Sequence, residues 1–175
     1  NNVTAYKLRA RLAIPTALAS AEVDVNAGLM LAPNDADLLA TRAYLRGSKN
    51  VVGALRDADA AIAADPHNVD AHWIRARLLR SAGKLAAAEA DLTSALTIEP
   101  HDMQVRLARA QLRLALNRPA DAAADASAVL EQNPADMFAR QVRAVVRGKL
   151  GDLQGAVEDL TAVLGTPGQA ANVMP

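Results

Sequence analysis

The sequence predicts an all-α protein made of stacked helical hairpins, and three regularities carry that reading. Pro33, Pro66, Pro100, Pro134 and Pro167 stand 33, 34, 34 and 33 residues apart. Alanines keep the same period in two ladders: Ala10, Ala43, Ala76, Ala110 and Ala144 in one, Ala21, Ala54, Ala88, Ala122 and Ala156 in the other. Between prolines lie two helical patterns parted by a turn residue, seen most clearly in residues 71–81 and 85–98 on either side of Gly83. A unit of this length recurring at a fixed period shares its core with its neighbours.

Each regularity has a local cause. Proline cannot continue the hydrogen-bond ladder of a helix and biases the preceding residue away from helical dihedrals, so Glu99-Pro100 closes a unit. Two residues beyond four of the prolines stand Asp35, Asn68, Asp102 and Asp136, whose side chains accept from the free N–H groups that open a helix. The alanine ladders let paired helices approach closely, and a larger ladder, Leu29, Ile62, Leu96, Leu130 and Leu164, fills the layer between neighbours.

The units fall at about 3–33, 35–66, 69–100, 102–134 and 136–167, with 168–175 as a tail, giving about ten helices in a single domain. The first is the least regular: Leu8-Arg9-Ala10-Arg11-Leu12 echoes the first helix of the third unit, but its turn carries Pro15 where later units carry Gly83, Asn117 or Gly151. In the second, one residue is lost near Gly47 to Asn50. The third is the most complete. Pro119 in the fourth occupies a first helical turn, where the missing N–H has no bond to lose. The fifth ends in GTPGQAANVMP, too broken by glycine and proline for a sealing helix, so Val157, Leu160 and Leu164 are expected to be covered by further chain or by a partner.

The 19 basic and 19 acidic residues are ordered by the same period. Arg9, Arg42, Arg75, Arg109 and Arg143 lead Asp24, Asp57, Asp91, Asp125 and Asp159 by 15, 15, 16, 16 and 16 residues. This spacing predicts one Arg–Asp pair between the two helices of every unit, a structural feature because each arginine brings its own counter-ion. Arg75→Ala is accordingly expected to destabilise and Arg77→Ala not. Outside the ladder, cations crowd the first helices (Lys7, Arg11, Arg46, Lys49, Arg77, Arg80, Arg106, Arg113, Arg140, Arg147, Lys149), and Glu22, Asp59, Glu89, Asp121 and Glu158 mark the second.

A helix–turn–helix unit of about 34 residues with these small positions and a closing proline resembles the tetratricopeptide repeat. The third unit matches best, through Ala76, Leu79, Gly83, Ala88, Leu92, Ala95 and Pro100, although the family's large aromatics are mostly aliphatic or alanine here. The resemblance implies a right-handed α-solenoid whose first helices line a concave groove that binds protein partners. Carried over position by position, the groove residues are Lys7 and Arg11, Tyr44, Trp73 with Arg77 and Arg80, Gln111, and Gln141. Such a groove would be net positive and favour an acidic or polar extended segment. Trp73, the only tryptophan, is either displaced core or a groove anchor. The lysine–asparagine set with which one branch of the family grips carboxylate tails is absent: the asparagines fall mainly in termini, turns and caps.

Other function classes find little support. The sequence has no glycine-rich phosphate loop, no nucleophile motif and no four-ligand metal spacing; His67 and His101 follow repeat prolines as turn residues, and His72 with them reads as surface. No cofactor or enzymatic activity is expected. Balanced charge argues against nucleic acid, no apolar run reaches the ~18 residues of a membrane span, and without cysteine the redox compartment has no signature. The expected function is a non-catalytic interaction scaffold for a peptide or partner segment. Two other readings stand beside it: a recognition or assembly segment of a larger enzyme, suggested by a start at Asn1 rather than methionine, and a homo-oligomer formed through the uncapped last repeat.

Overall fold

Asp35, Asn68, Asp102 and Asp136 each accept a hydrogen bond from the backbone N–H three residues on, and a helix starts behind each of them. In the computed structural model, which describes residues 2–165, ten α-helices follow one another without a strand among the described residues. They are α1 (Val3–Ala13), α2 (Leu18–Leu31), α3 (Ala36–Arg46), α4 (Val51–Ala64), α5 (Val69–Ser81), α6 (Leu85–Ile98), α7 (Met103–Ala115), α8 (Pro119–Gln132), α9 (Met137–Lys149) and α10 (Leu153–Leu164). The chain forms two compact units, Asn1–Pro100 with three hairpins and His101–Pro175 with two.

Turn chemistry sets each hairpin. Gly83, Asn117 and Gly151 occupy the left-handed region with φ of 73°, 56° and 87°, the conformation that lets a helix end and the chain reverse. The short second repeat turns differently, through a 3-10 turn at Gly47–Lys49, and Asn50 then caps α4 by accepting from Gly53 N–H. Pro119 opens α8 as its first residue.

Packing follows the small ladders. All ten ladder alanines are buried, nine of them at 3% exposure or less. Ala10, Ala21, Ala43 and Ala54 share one core cluster in the first unit with Val25, Leu29, Leu38 and Ile74. A further small position lies in the first repeat: a Cβ on Gly28 would stand 2.7 Å from Leu38 Cδ1 and 3.3 Å from Tyr6 Cβ, so this residue lets α1, α2 and α3 close together. In the second unit Ala110, Ala122 and Ala126 meet Val142 and Val146. Of the leucine ladder, Leu29 and Leu130 keep 7% exposure whereas Leu164 keeps 51%. Val157 and Leu160 beside it are also exposed, so the outer face of α10 is open among the described residues. Most of the segment GTPGQAANVMP lies outside those residues.

All five Arg–Asp pairs form, and each is a two-bond fork. Arg9, Arg42, Arg75, Arg109 and Arg143 donate from Nε and Nη2 to the two oxygens of Asp24, Asp57, Asp91, Asp125 and Asp159, at 2.5–3.1 Å. The aspartates are 2–4% exposed, so each carboxylate is a buried charge that its unit must neutralise. Three repeats add a second arginine one turn on: Arg46, Arg113 and Arg147 donate to Asp57, Asp125 and Asp159 at 2.6, 2.8 and 3.1 Å. In the third repeat His72 fills this role, with Nδ1 3.2 Å from Asp91 and Nε2 3.1 Å from the Pro66 carbonyl. His72 is thus a core residue and not a surface one.

The fork of the fifth repeat makes stability depend on acid. Burial pushes the Asp159 carboxyl up, but hydrogen bonds from Arg143 and the nearby charges of Arg143, Arg147 and Arg140 outweigh it and hold the group below the ordinary 3.8. A depressed carboxyl contributes stability above its unfolded pKa and loses it as pH falls through the folded value, so the loss begins below about pH 5. We expect Asp159→Asn to cost about 1.5–3 kcal/mol at neutral pH, and to lose less further stability than the wild type on acidification. Urea melts at pH 7 and pH 3 check both; parallel losses would exclude the fork as the acid-sensitive element.

Candidate functional site

Helices α1, α3 and α5 are the first helices of three successive repeats, each separated from the next by one returning helix, so they run in the same direction side by side. Between them lies an open groove of about 560 Å³, contained in the first unit. Its lining follows the repeat: Thr4, Asp37 and Asp70 at the first turns, Lys7, Ala40 and Trp73 one turn on, then Arg11 and Tyr44. Leu8, Ile14, Thr41 and Ile74 complete the wall.

Trp73 has both roles open to it in the sequence. It is half-buried, packs against the core cluster and faces the groove. Arg77, one turn further along α5, lays its guanidinium 5.1 Å from the Trp73 ring centroid and 4.8 Å from that of Tyr44 on α3. Both separations suit a cation–π contact. The three side chains tie α3 to α5 and fix the two aromatic faces.

The groove wall is not uniformly basic. Lys7 is held by Asp35 at 2.7 Å and Asp37 at 2.9 Å. Burial lowers its pKa, but the hydrogen bonds and charges of these two aspartates more than compensate and raise it. Asp37 also accepts from Asn68 Nδ2 at 2.9 Å. Arg46, Arg113 and Arg147 belong to the buried ladder, as described, and Arg140 donates to the Pro134 carbonyl. Arg11 and Asp70 are exposed and have no ion-pair or hydrogen-bond side-chain partner among the described residues.

The remaining sequence candidates lie elsewhere. Arg80 is exposed on the last turn of α5 and does not line the groove. Gln111 on α7 is exposed and Gln141 on α9 half-buried, both in the second unit. Among the lining residues outside the sequence candidates, Asp37 and Asp70 are the charged ones, and their signal was present: a carboxylate in the first turn of two successive repeats, 33 residues apart. No group of three or more potential metal ligands gathers among the described residues, and no described helix is long and apolar enough to cross a membrane.

These hairpins, their left-handed turns and their small-residue ladders define a helical-repeat protein. The chain belongs to the tetratricopeptide repeat family, whose model matches residues 41–102 and 107–171. Solved structures share the fold at low identity. The PilF protein of Pseudomonas aeruginosa superposes with a TM-score of 0.85 at 19% identity, over 95% of this chain and 77% of that one. MamA of Desulfovibrio magneticus RS-1 gives 0.78 at 13%, over 93% of each chain. YrrB, described as a tetratricopeptide repeat protein with an unusual peptide-binding site, gives 0.76 at 19%, over 97% and 89%. No curated protein sequence matches the chain.

The two ring contacts change the expectation for Arg77. Its replacement by alanine should cost about 0.5–1 kcal/mol, the size of a partly exposed cation–π contact. Arg75→Ala should cost more, because it leaves the buried Asp91 without its fork. Thermal melts of the two variants check the order; equal losses would show that the fork contributes no more than the ring contacts.

Proposed function

We propose that this chain is a protein-interaction module that seats an extended segment of a partner in the groove of α1, α3 and α5. The observation that carries the proposal is an open groove whose wall combines two fixed aromatic faces, Trp73 and Tyr44, with exposed charge at Arg11 and Asp70. Tetratricopeptide repeat proteins are generally non-catalytic scaffolds, and the peptide-binding site named for YrrB gives a precedent on the same fold. Tryptophan and arginine are the side chains most enriched at binding hot spots. Trp73 and Tyr44 would supply apolar anchorage, Arg11 a charge-assisted hydrogen bond to an acidic group, and Lys7 a contact shared with its aspartates. Arg80, Gln111 and Gln141 are proposed as polar contacts outside the groove.

A random-peptide display selection tests this reading. Sequences enriched on the wild type should be lost on Trp73→Ala and weakened on Arg11→Glu, whose exposed site leaves the fold intact. Binding should also weaken with salt, since exposed charges are screened over ~8 Å at physiological ionic strength. Enrichment indifferent to both variants would move binding away from the groove.

A second reading rests on the open face of α10. Leu164 is 51% exposed where its counterpart Leu130, one repeat earlier, is 7% exposed. A second copy of this chain would cover that face. Light scattering over a concentration series should then show a rising mass that Leu160→Asp/Leu164→Asp abolishes, and a constant monomer mass would exclude it.

A further inference from the structure

The groove separates its charges by sign, and this arrangement constrains what it takes. At the N-terminal ends of α3 and α5 stand Asp35, Asp37 and Asp70 with one cation, Lys7, among them. At the C-terminal part of α1 stands Arg11, on the groove wall, and seven residues beyond Asp70 on α5 comes Arg77, which does not itself line the groove but lays its guanidinium against the Trp73 and Tyr44 rings that do. Because the three helices run in the same direction, the carboxylates share one edge and the guanidinium groups the other. Seven residues of helix span about 10 Å. On the wall itself Asp37 and Asp70 stand with one cation, Lys7, at the acidic end, and Arg11 is the cation at the other; Asp35 beside Lys7 and Arg77 against the rings each add a charge of the matching sign. Leu8, Ile14, Tyr44 and Trp73 supply apolar surface in the same groove.

From this we infer that the groove selects an extended peptide carrying charges of both signs, with a basic side chain on the Asp37–Asp70 edge, an acidic one on the Arg11–Arg77 edge and an apolar residue between them. The inference rests on the groove being the binding site. A uniformly acidic segment would place a carboxylate beside Asp70, which has no cation of its own, and like charges brought together disfavour binding. A uniformly basic segment would meet Arg11 in the same way. An extended chain advances about 3.3 Å per residue, so the two charges of the ligand fall about three residues apart. The first-turn carboxylates Asp37 and Asp70 and the last-turn Arg11 also complement the dipoles of their helices. That complementarity keeps the separation in place without a ligand.

The probes are dye-labelled synthetic peptides of one length with a leucine between two variable positions about three residues apart: Lys/Glu in both orders, Glu/Glu, Lys/Lys and Gln/Gln. Fluorescence anisotropy gives the affinities. One of the Lys/Glu peptides should bind more tightly than either single-sign peptide by about threefold to fivefold, the scale of one exposed ion pair. Asp70→Lys should transfer the preference to Glu/Glu, and Arg11→Glu should transfer it to Lys/Lys. Both sites are exposed, and circular dichroism verifies the fold of each variant. If Trp73→Ala abolishes binding but Glu/Glu binds the wild type as tightly as the mixed peptides, or neither charge variant reorders the series, the inference is overturned while the groove remains the binding site. If no peptide binds at any charge, the groove reading falls and takes the inference with it.

Discussion

The buried aspartate in the second helix of each repeat is the constraint to which the hairpin answers. At 2–4% exposure an ionised carboxylate needs a cation in a fixed place, and the arginine of the first helix supplies it through two parallel hydrogen bonds. Those bonds set how the two helices are rotated and shifted relative to each other, a choice that alanine surfaces alone would leave loosely defined. Apolar burial supplies the driving force, with about 25 cal/mol for each Å² removed from water. The forks supply uniqueness, because sliding one helix by a turn would strand a charge.

The groove is a product of this arrangement. With each first helix locked to its own second helix, α1, α3 and α5 present the same faces in sequence, and residues one repeat apart fall into rows. Row by row, the chain has placed different chemistry on a common scaffold: Lys7, Ala40 and Trp73 occupy equivalent positions, as do Arg11, Tyr44 and Arg77. The rings of Tyr44 and Trp73 gain fixed orientations from the guanidinium that touches both. Rigid aromatic faces lose little entropy on binding.

Much of this was legible in the chain itself. Ten helices, the caps of four of them, the left-handed turns and all five Arg–Asp pairs follow from residues that recur at a fixed interval, since each copy confirms the rest. The electrostatics of the groove were harder to read. Arg46, Arg113 and Arg147 counted as free cations in one dimension, although each sits four residues after a ladder arginine and therefore on the same helical face. His72 looked like a surface histidine because only the folded hairpin brings Asp91 and the Pro66 carbonyl to its two nitrogens. Lys7 meets Asp35 and Asp37 across a repeat boundary, a pairing that no within-repeat spacing encodes. Local periodicity reports the scaffold, and contacts between helices, within a repeat and across its boundary, decide the charge of its surface.

The placement of the forks also bears on how such a chain can change in length. Every buried aspartate finds its principal arginine inside its own repeat, and ion pairs that cross between repeats include those of Asp37 and Asp59, each 63% exposed at the side chain, and of the partly exposed Asp35. Duplication or deletion of one whole repeat would therefore leave each buried aspartate with its fork. A lineage carrying this design could lengthen or shorten its array by recombination with little electrostatic penalty, and vary the exposed rows independently of the interior.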